Sequence, residues 1–98
     1  MTPPAFTVFT TSHFDREYKK LTAKHPQLKA HYADVLDILQ TDPHNFSRRH
    51  AIKKLQAVEA GMGQMRIRSG RFRFRYDIEG QSVYLKACAL RDENTYRR

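Results

Sequence analysis

The chain has few of the features that mark secreted, membrane-spanning or disordered proteins. Its single cysteine, Cys88, cannot form a disulfide within the chain, and no apolar stretch is long enough for a signal peptide or a membrane span. Glycine and proline number only 4 each, and neither an internal repeat nor a low-complexity segment is found. We therefore expect a cytoplasmic protein that folds as one domain over residues 1–98.

Acidic residues are scarce in the second half of the chain. Residues 1–47 carry five basic and five acidic side chains, whereas residues 48–98 carry thirteen lysines and arginines against five acids. The whole net charge of +8 therefore lies in the second half. Such an asymmetry favours a polyanionic partner. Nucleic acid is our first interpretation, an acidic protein the second and a membrane surface the third.

The first half of the chain predicts one strand and two helices. Phe6–Thr11 is rich in β-branched and aromatic residues, which are typical of a strand. Apolar residues at helical spacing then predict a helix from an N-cap at Ser12 to Lys24. A second helix is expected to begin at Pro26 and to stop at Asp42–Pro43, since proline disfavours helical geometry in the residue before it.

The second half changes to a period of two. Residues 44–63 predict only a short helical turn and a loop, but Arg71–Tyr76 alternates arginine with aromatic residues without a fault. Successive side chains of a strand point to opposite faces, so the three aromatic residues should enter the core and the three arginines should share the other face. We expect hairpin turns at Ser69–Gly70 and Glu79–Gly80 and a final strand over Val83–Leu90.

These elements predict an α+β fold. An N-terminal strand is followed by an antiparallel pair of helices, which packs on an antiparallel sheet completed by a C-terminal three-stranded meander. The helices would cover the apolar face of the sheet.

Five arginines without an acid among them lie within ten residues: Arg66, Arg68, Arg71, Arg73 and Arg75. Like charges on adjacent strands repel each other, so an external anion is the expected compensation. Guanidinium keeps its charge at neutral pH and presents a planar fork that matches phosphate oxygens. A phosphodiester contact is the first interpretation, and a solvated strand face is the alternative.

The run MRIRSGRFRFRYDI is similar to the arginine-rich β-hairpin of the RelE/ParE type II toxins. The helical pair, the Asp42–Pro43 stop, the Lys53-Lys54-Leu55 segment and the closing ALRDENTYRR follow in the order of that family. The resemblance implies the RelE-like fold and a cognate antitoxin as partner. RelE-type members cleave messenger RNA on the ribosome, whereas ParE-type members inhibit DNA gyrase, and an RNA-binding module without activity is a further alternative.

The RelE-type branch implies roles for particular residues, without a metal or cofactor. By motif position the catalytic residues would be Arg66, Arg68, Arg73, Arg91 and Tyr96. Further contacts to RNA would come from Lys53, Lys54, Arg71 and Arg75. In that chemistry an RNA 2′-hydroxyl attacks the neighbouring phosphorus, and arginines stabilise the charged phosphorane.

Proton transfer needs a different side chain, since an arginine is a poor general base. Tyr96 is the first candidate for the base and Arg91 for the group that neutralises the leaving oxygen. A histidine, His50 before His44, is the alternative base. The five histidines of the chain show no metal-ligand spacing.

Overall fold

The computed structural model describes residues 5–91 and confirms the α+β class. The strands and helices in chain order are β1 Thr7–Thr10, α1 Ser12–Lys24, α2 Leu28–Thr41, β2 Ile52–Lys54, β3 Met65–Ser69, β4 Phe72–Glu79 and β5 Ser82–Leu90. Among the residues described, no helix combines the length and apolar character that crossing a bilayer requires.

All the strands form one sheet in the order β1-β5-β4-β3-β2. The sheet is mixed rather than antiparallel throughout, because β1 pairs in parallel with β5, Thr7 opposite Ser82. A parallel pairing needs a long crossover connection, and the two helices begin that connection. The C-terminal meander also has one more strand than the sequence predicted, since β2 joins the edge beside β3.

The strand β2 replaces the helical turn that was expected between residues 44 and 63. Ile52 lies opposite Ile67 of β3, and its side chain packs against the core. Three residues show too little alternation to reveal a strand, so the pairing with β3 is what makes this segment extended. The edge strand is short and carries two lysines, which disfavours pairing with another chain.

Helix α1 is capped by Thr11 and not by Ser12, which is its first helical residue. The Thr11 hydroxyl accepts a hydrogen bond from the Phe14 N–H at 3.3 Å and donates one to the Leu85 carbonyl at 3.0 Å. Thr11 is therefore the better cap, because its hydroxyl also hydrogen-bonds to a backbone carbonyl of β5 at the point where β1 ends. Helix α2 begins at Leu28, later than predicted, and Pro26 lies in the turn before it.

The two central hairpin turns each lie one residue later than predicted. Their loops are Gly70–Arg71 and Gly80–Gln81, flanked by the pairs Ser69 with Phe72 and Glu79 with Ser82. Both glycines have a left-handed φ, +61° and +59°, and the first central residue of a type II′ turn requires that conformation. At Gly70 a side chain would also collide with the His31 ring, whose Cε1 atom would lie 2.6 Å from an added Cβ.

The core lies between the helices and one face of the sheet. Phe72, Phe74 and Tyr76 are all buried there, which confirms the predicted assignment of the two faces. Phe14 of α1 packs against Phe74 with ring centroids 6.3 Å apart. The Tyr76 hydroxyl donates to the Pro43 carbonyl at 2.7 Å, and burial raises the Tyr76 pKa. The end of α2 is thereby fixed to the sheet.

Candidate nucleic-acid interface

The register of the sheet gathers cations on the face opposite the helices. Arg66 pairs with Arg75 and Arg68 with Arg73 across β3 and β4, in alternation with the buried Ile67 and Phe74. Cross-strand neighbours lie about 5 Å apart and same-face residues along a strand about 6.6 Å apart. The strands therefore hold four guanidinium groups in two adjacent rows.

The edge strand extends one of these rows and separates the two predicted lysines. Lys53 pairs with Arg66, and so it shares the arginine face. Lys54 pairs with Met65, whose side chain packs against the core, so Lys54 lies on the helix side of the sheet. We call Lys53, Arg66, Arg68 and Arg73 the basic face.

Arg75 lies beside the basic face but holds a loop. Its Nε donates to the Gly63 carbonyl at 3.0 Å and its Nη2 to the Met62 carbonyl at 2.8 Å. The Asp77 carboxylate accepts from the backbone N–H groups of Gly63 and Gln64, both at 2.9 Å. These four hydrogen bonds hold the segment before β3 against this part of the sheet. Arg75 was predicted to contact RNA, and its guanidinium already has protein partners.

A groove of about 290 Å³ is lined by Arg66 and Arg73 together with Ala87 and Ala89 of β5. Alanines stand opposite the arginines of β4, with Ala89 paired to Arg73 and Ala87 to Arg75. Because the alanine side chains are short, the surface of the sheet is lower here than beside the long arginine side chains. The groove is therefore open to an extended, negatively charged chain that lies along the strands.

Arg71 and Arg91 come together at the end of the sheet. Arg71 lies in the β3–β4 turn and not in the strand, and the Arg91 N–H donates to its carbonyl at 2.6 Å. Both side chains are exposed. The last predicted catalytic residue, Tyr96, lies outside the described residues.

No protein-family model, curated protein or solved structure matched the chain significantly.

The histidines have mainly structural contacts. The backbone N–H of His50 donates to the Asn45 side-chain oxygen at 3.1 Å, and the His50 ring Nε2 lies 3.7 Å from a carboxylate oxygen of Asp42. His31 Nδ1 and the Ser69 hydroxyl share a hydrogen bond of 2.8 Å. Within residues 5–91, no three His, Cys, Asp or Glu side chains are grouped so that they could hold a metal ion.

Cys88 behaves as the buried hydrophobic residue that its apolar surroundings predicted. Only 2% of the residue is exposed, and burial, together with the nearby Glu17 carboxylate, raises the thiol pKa to about 12. The same Glu17 accepts a hydrogen bond from the Cys88 N–H at 2.9 Å. A thiol with such a pKa is protonated at neutral pH and is a poor nucleophile.

One feature of this surface was missed from the sequence. The attachment of Arg75 and Asp77 to Gly63 joins segments about a dozen residues apart and leaves no periodic signal. The Gly61-Met62-Gly63 run predicted only a break, although glycines that must approach a strand closely are typical of such a contact.

Proposed function

We propose that the protein is a RelE-type toxin, a ribosome-dependent endoribonuclease that cleaves messenger RNA and is neutralised by a cognate antitoxin. One observation carries the proposal, namely the register that places Lys53 and Arg66 in one row and Arg68 and Arg73 in the next. Cations aligned along neighbouring strands suit successive phosphates of a single strand, and guanidinium forks bind two phosphate oxygens at once.

The arrangement also suits the charge that develops during cleavage. Attack of the 2′-hydroxyl on phosphorus produces a phosphorane whose negative charge is spread over its oxygens. Arg73 and Arg66 flank the groove and would donate to those oxygens, which stabilises the transition state more than the ground state. Arg91, exposed at the end of β5, would neutralise the leaving 5′-oxygen.

The general base must come from outside the basic face, since neither arginine nor a protonated lysine accepts a proton at neutral pH. Tyr96 takes this role in the proposal. His50 is the alternative base, but its ring already faces Asp42. The antitoxin would bind this cation-rich surface through an acidic segment, as the charge asymmetry suggests.

Incubation with translating ribosomes, followed by mapping of messenger RNA ends, tests the proposal. We expect new 5′ ends within coding sequence when ribosomes are present and intact RNA when they are absent. Inhibition of DNA gyrase supercoiling with intact messenger RNA would establish a ParE-type toxin instead. Ribosome binding without cleavage would reduce the protein to an RNA-binding module.

A further inference from the structure

An aromatic pair projects from the loop between α2 and β2, on the helix side of the sheet. Phe46 is 82% exposed, and its ring stacks on that of His44 with centroids 5.0 Å apart and an interplanar angle of 19°. The edge of the pair rests on Phe6, whose ring lies 5.8 Å from His44. His44 therefore has an aromatic contact with the rest of the protein, while Phe46 is open to solvent.

Hydrogen bonds hold this loop in place. The Asp42 carboxylate accepts from the Phe46 N–H at 2.9 Å and from the Ser47 hydroxyl at 2.7 Å. Asn45 and His50 exchange two hydrogen bonds of 3.1 Å. Asn45 also has a left-handed φ of 59°, as does Arg48. These contacts hold the backbone at Phe46 and the stacking on His44 orients its ring, so a partner would meet a preorganised ring.

The pair borders a groove with cations on its walls. The groove has a volume of about 950 Å³, and Arg48 and Lys54 line it together with His44 and Phe46. Between Asp42 and Glu59 the chain has four lysines and arginines and no acid. Two acids line the groove from β4: Asp77, whose oxygens accept from the backbone, and the exposed Glu79.

We propose that Phe46, supported by His44, stacks on an unpaired RNA base while Arg48 and Lys54 contact the flanking phosphates. A planar, exposed ring beside cations is the arrangement that binds single-stranded nucleic acid without a preference for sequence. Lys53 and Lys54 lie on opposite faces of the edge strand, so one RNA strand passing around β2 reaches both this site and the basic face. This inference rests on the proposed function and adds a second contact region to it.

A tryptophan at position 46 reports the stacking directly, because the chain has no tryptophan of its own. We expect the fluorescence of Phe46→Trp to be quenched by an adenosine RNA octamer and to remain unchanged with an abasic octamer of equal charge. Ala33→Trp places the reporter at an exposed position of α2 and is the matched control, for which neither octamer should quench the fluorescence.

Affinity gives an independent measurement. Phe46→Leu keeps an apolar side chain without a ring, and we expect it to weaken binding of the adenosine octamer about 5- to 150-fold. Its affinity for the abasic octamer should equal that of the unsubstituted protein. Since Phe46 is exposed, the melting temperature should not change, and measuring it confirms that the variant is folded.

The outcomes separate the two proposals. Tight binding of the adenosine octamer with no quenching and no loss in Phe46→Leu would overturn stacking while leaving RNA binding by the basic face intact. Equal quenching by both octamers would also overturn stacking, since charge alone would explain it. If neither octamer binds at low salt, the stacking site and the proposed RNA-directed function both fail.

Discussion

Arg75 and Gly63 form a close contact that fastens a loop to the sheet. The Arg75 Nε donates to the Gly63 carbonyl at 3.0 Å, and a Cβ added to Gly63 would lie 3.0 Å from the Arg75 Cβ. Arg75 stands opposite Arg66 in the register, where two like charges would repel. By donating to loop carbonyls, the Arg75 guanidinium gains compensating partners within the protein.

Gly63→Ala should therefore destabilise the fold more than Gly61→Ala. Both glycines have left-handed φ values, +85° and +88°, which cost a residue with a side chain about 1–2 kcal/mol. At Gly63 an added Cβ would also lie 3.0 Å from the Arg75 Cβ, so the strand residues would have to shift slightly, whereas Gly61 has open space around it. Urea unfolding of both variants measures the difference, and equal free energies of unfolding would show that the loop moves aside freely.

The two faces of the hairpin should respond differently to alanine. Phe74 is fully buried, so Phe74→Ala should lower the free energy of unfolding by about 3–5 kcal/mol. Arg68 is exposed on the basic face, so Arg68→Ala should change the free energy of unfolding by no more than about 0.5 kcal/mol. Thermal and urea unfolding give both values. A larger loss in Arg68→Ala than in Phe74→Ala would contradict the assignment of the faces.

Binding of single-stranded RNA should weaken with salt in proportion to the phosphates contacted. Without Arg75, the basic face offers four cations, Lys53 among them, so this face alone should contribute about −3 to the log–log slope. Arg68→Ala should make the slope shallower by about 0.7. Titrations between 50 and 300 mM salt, about the range where screening varies strongly, measure this slope. A flat dependence would rule out phosphate contacts as the source of affinity.

Arg73 should be needed for cleavage through its geometry as well as its charge. Arg73→Ala should lower the single-turnover rate on ribosome-bound messenger RNA by about 100- to 1,000-fold. Arg73→Lys should recover little, because lysine keeps the charge but not the fork that holds two oxygens. The rates should be compared at equal ribosome occupancy. Full activity of Arg73→Lys would reduce the role of Arg73 to charge alone.

The loop of Phe46 should depend on the ionisation of Asp42. The Ser47 hydroxyl and the backbone N–H groups of Phe46 and Ser47 lower the Asp42 pKa, as does the nearby His50. A carboxyl whose pKa is lower in the folded state stabilises the fold above its unfolded pKa of about 3.9, and the effect disappears as the pH falls through the folded value.

We therefore expect Asp42→Asn to be less stable than the unsubstituted protein between about pH 5 and 7, with the difference shrinking below about pH 4. Urea unfolding over this range measures it. Asp37→Asn removes an exposed acid from α2 and is the control for charge alone. A difference that stays constant down to pH 2.5, about the limit of the titration, would exclude Asp42 ionisation as its cause.

Local patterns alone determined the helices, the β4 strand and the separation of its two faces. Alternation along Phe72–Glu79 places side chains on opposite sides whatever the rest of the chain does, so the arginine face was predictable from the sequence. The stop at Asp42–Pro43 is similarly local, because proline restricts the residue before it. The apolar run around Cys88 indicated its burial for the same kind of reason.

Only the tertiary structure decided how these elements join and where the Arg75 guanidinium donates its hydrogen bonds. The parallel pairing of β1, the strand at Ile52–Lys54 and the capping by Thr11 each depend on a partner far along the chain. The same holds for Arg75, which looks like its neighbours in the sequence but donates to a loop that packs over it. Periodicity records which face a side chain takes, whereas its partner is set by packing between distant segments.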